Sequence, residues 1–204
     1  LTEKGQGRGK TGREVTWRRE WGHGKILKAA RLVRRQVSKK LTLQELRIMT
    51  QRKIRVLFVC TGNICRSPMA EAVFQHLVNE AGLTDRFEIA SAAMTSWEVG
   101  EKIHPGTMAV LRAHRVDFRQ EKRARQITLD DFDTYDFVVA MDEINLREMA
   151  QIGKTAPRLL EFAEGSTMLN VPDPYYDHNF ERSYQLIKTG CQALLRKIRE
   201  QEKF

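Results

Sequence analysis

Residues 56–68 read "VLFVCTGNICRSP", and the fold turns on how the apolar half of this stretch meets the polar half. Val56 to Val59 form a short, continuous apolar run, the pattern of a strand buried on both faces of a parallel sheet. Cys60 closes the run. Gly62 and Asn63 tolerate left-handed backbone, Ser67 suits a helix N-cap and Pro68 the first helical position. A helical stripe follows in Met69, Ala70, Val73, Phe74, Leu77, Val78 and Ala81. The expected order is strand, tight loop, helix, and in an open parallel sheet ligands bind beyond the carboxyl ends of the strands, where this loop lies.

The alternation continues downstream. "FEIASAAM" (87–94) reads as a second strand, "MAVLRAHRV" (108–116) as a helix and "DFVVAM" (136–141) as a third strand. "EINLREMAQI" (143–152) reads as a helix and "PRLLEF" (157–162) as a fourth strand. Tyr184, Ile187, Cys191, Leu194, Leu195 and Ile198 mark one face of a final helix. This pattern predicts an α/β fold: a three-layer sandwich with a mainly parallel four-stranded sheet and a phosphate-binding loop between the first strand and first helix.

Composition narrows the class. The 204 residues are 41% hydrophobic and 30% charged, as in an ordinary globular protein. No apolar stretch approaches the ~18 residues of a membrane span, and nothing near the first residue resembles a secretory signal. Three cysteines, Cys60, Cys65 and Cys191, argue against a disulfide scaffold and for a reducing, cytoplasmic setting. The net charge of +9 is unevenly spread: of 35 basic and 26 acidic residues, 14 and 4 lie within residues 1–48, leaving 21 and 22 for the rest. Specific nucleic acid binding is therefore not expected of the main body.

Residues 1–48 read as a basic extension, disordered or partly helical, the helical part carried by Ile26, Ala30, Val33, Val37 and Leu41. Its functional reading is contact with an anionic surface. The favoured reading is that it stands outside the native protein, because Met49 sits just ahead of the first strand as a normal start would. Residues 49–204 are the expected working domain. "GRGKTG" (7–12) lacks the earlier glycine and the preceding strand of a nucleotide-binding phosphate loop.

Two thiols and an arginine within seven positions admit three chemistries: half a metal site, a disulfide, or a loop around an anion. Zinc needs four ligands, and the remaining Cys191 falls on the core stripe of the last helix. A disulfide between Cys60 and Cys65 would remove a nucleophile, although as a reversible redox state it remains open. In the anion reading, the amides of Thr61, Gly62, Asn63, Ile64 and Cys65 converge at a helix N-terminus, a natural oxyanion cradle. Arg66 adds a planar fork for two phosphate oxygens. The same field favours a thiolate at Cys60, giving a nucleophile beneath the phosphate. No metal and no organic cofactor is implied.

The oxygen that leaves a phosphate ester needs a proton, so an acid must face the thiolate across the phosphate. Asp173, between Pro172 and Pro174, supplies one, held extended by the following proline. Tyr175 and Tyr176 provide aromatic walls and are expected to desolvate Asp173 and favour its protonated form.

With these flanks, "TGNICRSP" closely resembles the signature of the low-molecular-weight protein tyrosine phosphatase family. The resemblance runs from about residue 53 to the end and includes "SAAMTSWEVG" (91–100), "RARQIT" (123–128), "FVVAMDEINL" (137–146) and "VPDPYYD" (171–177). It implies phosphotyrosine proteins or small aryl phosphates as substrates, Cys60 as nucleophile, Arg66 as phosphate binder and Asp173 as general acid and base. It further implies that Ser67 donates to the Cys60 thiolate, that Asn63 pins the loop against Ser91, and that Trp97 walls the slot. Cys65 matches the family's backup thiol. Ile64 stands where related bacterial arginine phosphatases carry threonine, which favours an aryl phosphate. One position departs: members often have a histidine just before the "[Lys/Arg]-Ala-Arg" segment, and this chain has Lys122, so the support behind the loop is expected to differ. Two rivals remain, an arsenate reductase on the same scaffold and a phosphate-reading module without catalysis.

Overall fold

A computed structural model describes residues 52–203; the extension proposed for residues 1–48 lies outside the described residues. The apolar run forms β1 (Ile54–Cys60), flanked by β2 (Phe87–Ala93) and β3 (Phe137–Ala140). The order is β2-β1-β3 and both pairings are parallel. Cys60 lies opposite Ala93, and Val59 opposite Ala140. The central strand therefore ends between two neighbours reached by opposite crossovers, the crevice that such sheets use for ligands.

Period-two alternation along β1 divides the core between the two faces. Ile54, Val56, Phe58 and Cys60 join one cluster, with Phe74, Leu111, Ile187 and Leu194. Leu57 and Val59 join the other, with Ile127, Ala140 and Met149. Over the first face lie α1 (Arg66–Glu80), α2 (Pro105–Ala113) and the long α6 (Phe180–Glu202). The second face is served by residues adjoining α3 (Leu129–Thr134) and within α4 (Glu143–Gln151). A single turn, α5 (Pro174–Asp177), follows Asp173. No described helix is long and apolar enough to cross a membrane.

The sheet has three strands among the described residues rather than four. "PRLLEF" contributes one parallel bridge, Arg158 to Ala140, and then turns into a 3-10 helix over Leu159–Phe162. Leu159 and Leu160 are both buried in the same cluster against α6. A strand would send these neighbours to opposite faces, and a tight helical turn lets both into one core.

Helix α1 also begins two residues earlier than expected. Cys65 takes the N-cap place without a capping side chain, so Ser67 and Pro68 lie inside the first turn. The hydroxyl of Ser67 is committed to the loop instead, and the first amides of α1 are left for another acceptor.

Candidate active site

The loop between β1 and α1 is held from behind by Asn63, whose φ is 58°. Its Nδ2 donates to Ser67 Oγ and Ser91 Oγ, both at 2.8 Å, and its Oδ1 accepts the Arg125 N–H at 3.2 Å. Loop carbonyls turn outward: Thr61 O accepts the Thr95 N–H, Ile64 O the His104 N–H and Cys65 O the Met69 N–H. The N–H groups of Ile64, Cys65 and Arg66 have no acceptor among the described residues. Backbone donors without a protein acceptor beside a helix N-terminus have the chemistry to receive an anion.

Cys60 Sγ lies at the floor, 3.3 Å from the Asn63 N–H donor and 3.0 Å from Ser67 Oγ. Ser67 Oγ accepts from Asn63, and its single proton can go to the sulfur at 3.0 Å or to Ala92 O at 3.3 Å.

Arg66 is 2% exposed. Its Nη1 donates to Asp142 and, at 3.2 Å, to Val171 O. Its Nη2 donates to Asp173 Oδ2 at 2.6 Å and Thr61 Oγ1 at 3.4 Å. Nε is buried and has no partner. Burial works against the guanidinium charge, yet the negative potential of Cys60, Asp173 and Asp142 outweighs it and raises the pKa above the usual arginine value.

Asp173 also caps α5, its Oδ1 accepting the Tyr175 N–H at 3.1 Å. The two tyrosines do not enclose it: Tyr176 is 77% exposed, and the carboxyl finds a cation, Arg66, where a desolvated acid was expected. Cys60, Thr61, Gly62, Ile64, Cys65, Trp97, Asp173, Tyr175 and Tyr176 line one cleft of about 160 Å³. Asn63 and Ser67 stand behind it, and Arg66 opens on the adjoining groove. Trp97 is 77% exposed and forms a free-standing wall. Burial, then the charges of Asp173 and Cys60, pushes the Cys65 thiol up to about 12, so it stays protonated at neutral pH.

Lys122 takes a place behind the loop. Its Nζ is 3.1 Å from Glu71 Oε2 and 3.4 Å from Ser91 O, while Ser91 Oγ donates to Glu71 at 2.6 Å. Arg119 completes the pairing of this buried carboxylate. Sequence reasoning missed Glu71, as it missed Asp142 on Arg66 and Asn145, whose Nδ2 reaches Thr61 Oγ1 at 3.2 Å. Asp142 carried a usable signal, because it follows the apolar end of β3, level with the carboxyl end of β1. Glu71 carried none, lying at an ordinary polar position of α1.

The family described as "Low molecular weight phosphotyrosine protein phosphatase" matches residues 55–204. The low molecular weight protein-tyrosine-phosphatase YfkJ of Bacillus subtilis is 46% identical over 154 residues, covering 73% of this chain and 98% of its own. The low molecular weight phosphotyrosine protein phosphatase of Sus scrofa is 41% identical over 152 residues, covering 71% of this chain and 95% of its own. The crystal structure of YfkJ superposes with a TM-score of 0.70 at 42% identity, over 73% of this chain and 96% of that one. With a three-stranded parallel sheet, a thiol at the end of its central strand and a matching sequence from β1 to the last helix, the chain belongs to the low molecular weight protein tyrosine phosphatase family.

Proposed function

We propose that this chain hydrolyses phosphotyrosine in proteins, and small aryl phosphates, through a phosphocysteine intermediate. The observation that carries the reading is Arg66: a 2% exposed guanidinium with Nε unpartnered, above Cys60 and beside three unpaired loop amides. An oxyanion seated there satisfies every one of these donors at once.

In this mechanism the Cys60 thiolate attacks phosphorus in line, and the loop amides and Arg66 hold the charge on the equatorial oxygens. Asp173 gives its proton to the departing phenolate, and then takes one from the water that hydrolyses the phosphocysteine. The Arg66–Asp173 contact couples binding to this step. A phosphate dianion takes over the guanidinium, which releases the Asp173 carboxyl to face the leaving oxygen. Ser67 donates to the sulfur as it leaves phosphorus. Cys191, buried in the core against Ala70 O, is badly placed for the thiol shuttling an arsenate reductase needs.

Rapid-quench turnover of a phosphotyrosine peptide under reducing conditions tests the assignment. Cys60→Ser is expected to be inactive, and Asp173→Ala to slow turnover by about 100-fold or more on poor leaving groups, with a smaller loss on p-nitrophenyl phosphate. Wild-type turnover by Cys60→Ser would end the proposal. Faster hydrolysis of a phosphoarginine peptide than of its phosphotyrosine counterpart would reassign the substrate and overturn the reading of Ile64.

A further inference from the structure

A groove of about 510 Å³ continues from the phosphate seat past Arg66 and Asp173, between Trp97, the first turns of α4 and the segment Asn170–Asp173. Its walls are fixed before any substrate arrives. Asn170 Oδ1 accepts the Glu143 N–H and Arg158 Nη1, both at 3.1 Å, and the Val171 N–H donates to Met141 O at 2.9 Å. Ile144, 53% exposed, offers an apolar ledge near Trp97.

Charge on this rim is lopsided. Across the catalytic cleft and the groove, five carboxylates (Glu98, Asp142, Glu143, Glu148 and Asp173) face two guanidiniums, Arg66 and Arg147. Arg66 is already held by Asp142 and Asp173 and is destined for phosphate. Glu143 and Glu148 share the groove with one further guanidinium, Arg147, and Glu148 accepts from Asn145 Nδ2 at 3.5 Å, in a site that must admit a dianion. Partial burial raises the Glu148 pKa, with Asp142 adding to it and the Asn145 hydrogen bond and Arg66 working against it.

We propose that this groove is a subsite for a lysine or arginine side chain flanking the phosphotyrosine of a protein substrate. Glu143 and Glu148 receive the cationic head and Ile144 and Trp97 receive the aliphatic stem. The proposal rests on the phosphatase reading and deepens it: the substrate supplies the cation that the rim lacks. A free aryl phosphate does not reach the groove, so the two readings separate experimentally.

The test compares kcat/KM on phosphotyrosine peptides that differ only in lysine, alanine or glutamate, placed in turn at each residue flanking the phosphotyrosine, at about 0.15 M ionic strength where long-range attraction is screened. Free phosphotyrosine is run alongside with the wild type. At one position lysine is expected to exceed alanine by about fivefold and glutamate to fall about fivefold below it, the range of a solvent-accessible ion pair. Glu143→Lys is expected to shrink or invert the lysine-to-glutamate ratio. Peptides within about twofold of one another at every position, with free phosphotyrosine turned over normally, would overturn the subsite alone. Failure to turn over free phosphotyrosine as well would overturn the phosphatase reading and the subsite with it.

Discussion

Asn63 holds a left-handed φ of 58° and at the same time spends its amide on two buried hydroxyls. These two jobs separate by substitution. Alanine loses both: it strains the backbone by about 1–2 kcal/mol and leaves Ser67 and Ser91 short of a donor. Glycine accepts the backbone angle and still loses the hydrogen bonds. If the bonds aim Ser67 at Cys60, Asn63→Gly and Asn63→Ala both lower kcat on a phosphotyrosine peptide by about 100-fold, the scale of a displacement near 1 Å at the reacting centre. Thermal melting of the two variants differs, with Asn63→Ala the less stable. A fully active Asn63→Gly would mean that the residue serves only the turn. The identity of this residue was legible in the sequence because everything it shapes lies within four positions, from Cys60 to Ser67. Its partners Ser91 and Arg125 are 28 and 62 positions away, and only the family resemblance named the first.

At the scale of elements, β1, the loop and α1 were readable because an apolar run, a turn and an amphipathic stripe stand side by side in the chain. The strand misread at 157–162 shows the limit of that method. An apolar run says that Leu159 and Leu160 are buried, and it is silent on whether they enter one core or two. What decided the matter is Gly190 on α6: a Cβ there would lie 2.6 Å from Leu159 Cγ and 3.1 Å from Leu159 O. The missing side chain is the space into which the 3-10 turn settles, and no local pattern connects residues 159 and 190. For the same reason the ion pairs of Arg66 with Asp142, 76 positions apart, and of Arg119 with Glu71, 48 apart, escaped the sequence. Gly190→Ala is expected to destabilise the protein by about 1–3 kcal/mol, although alanine is the better helix former. Urea unfolding monitored by far-ultraviolet circular dichroism measures it, and an unchanged or raised midpoint would show that the turn yields without loss.

For the whole molecule, charge and catalysis divide along the chain. The sheet, both cores and every residue of the candidate site lie within residues 52–203. Residues 1–48 hold an excess of ten basic over acidic residues, and residues 49–204 an excess of one acidic residue. We propose that residues 49–204 are a self-sufficient phosphatase domain, and that retention on an anionic surface, where it occurs, comes from the first 48. Deleting residues 1–48 is then expected to leave kcat/KM on p-nitrophenyl phosphate within about twofold and Tm within about 2 °C, the shift that roughly half a kilocalorie per mole produces in a chain of this size. Retention on heparin or on vesicles rich in anionic lipid is expected to vanish, and in the full chain to weaken steeply with salt as counterions compete. A truncated protein that melts well below the full chain would place residues 1–48 within the folded unit. Undiminished retention after truncation would move the basic surface to the domain itself, where the acid-rich rim of the active site leaves it little room.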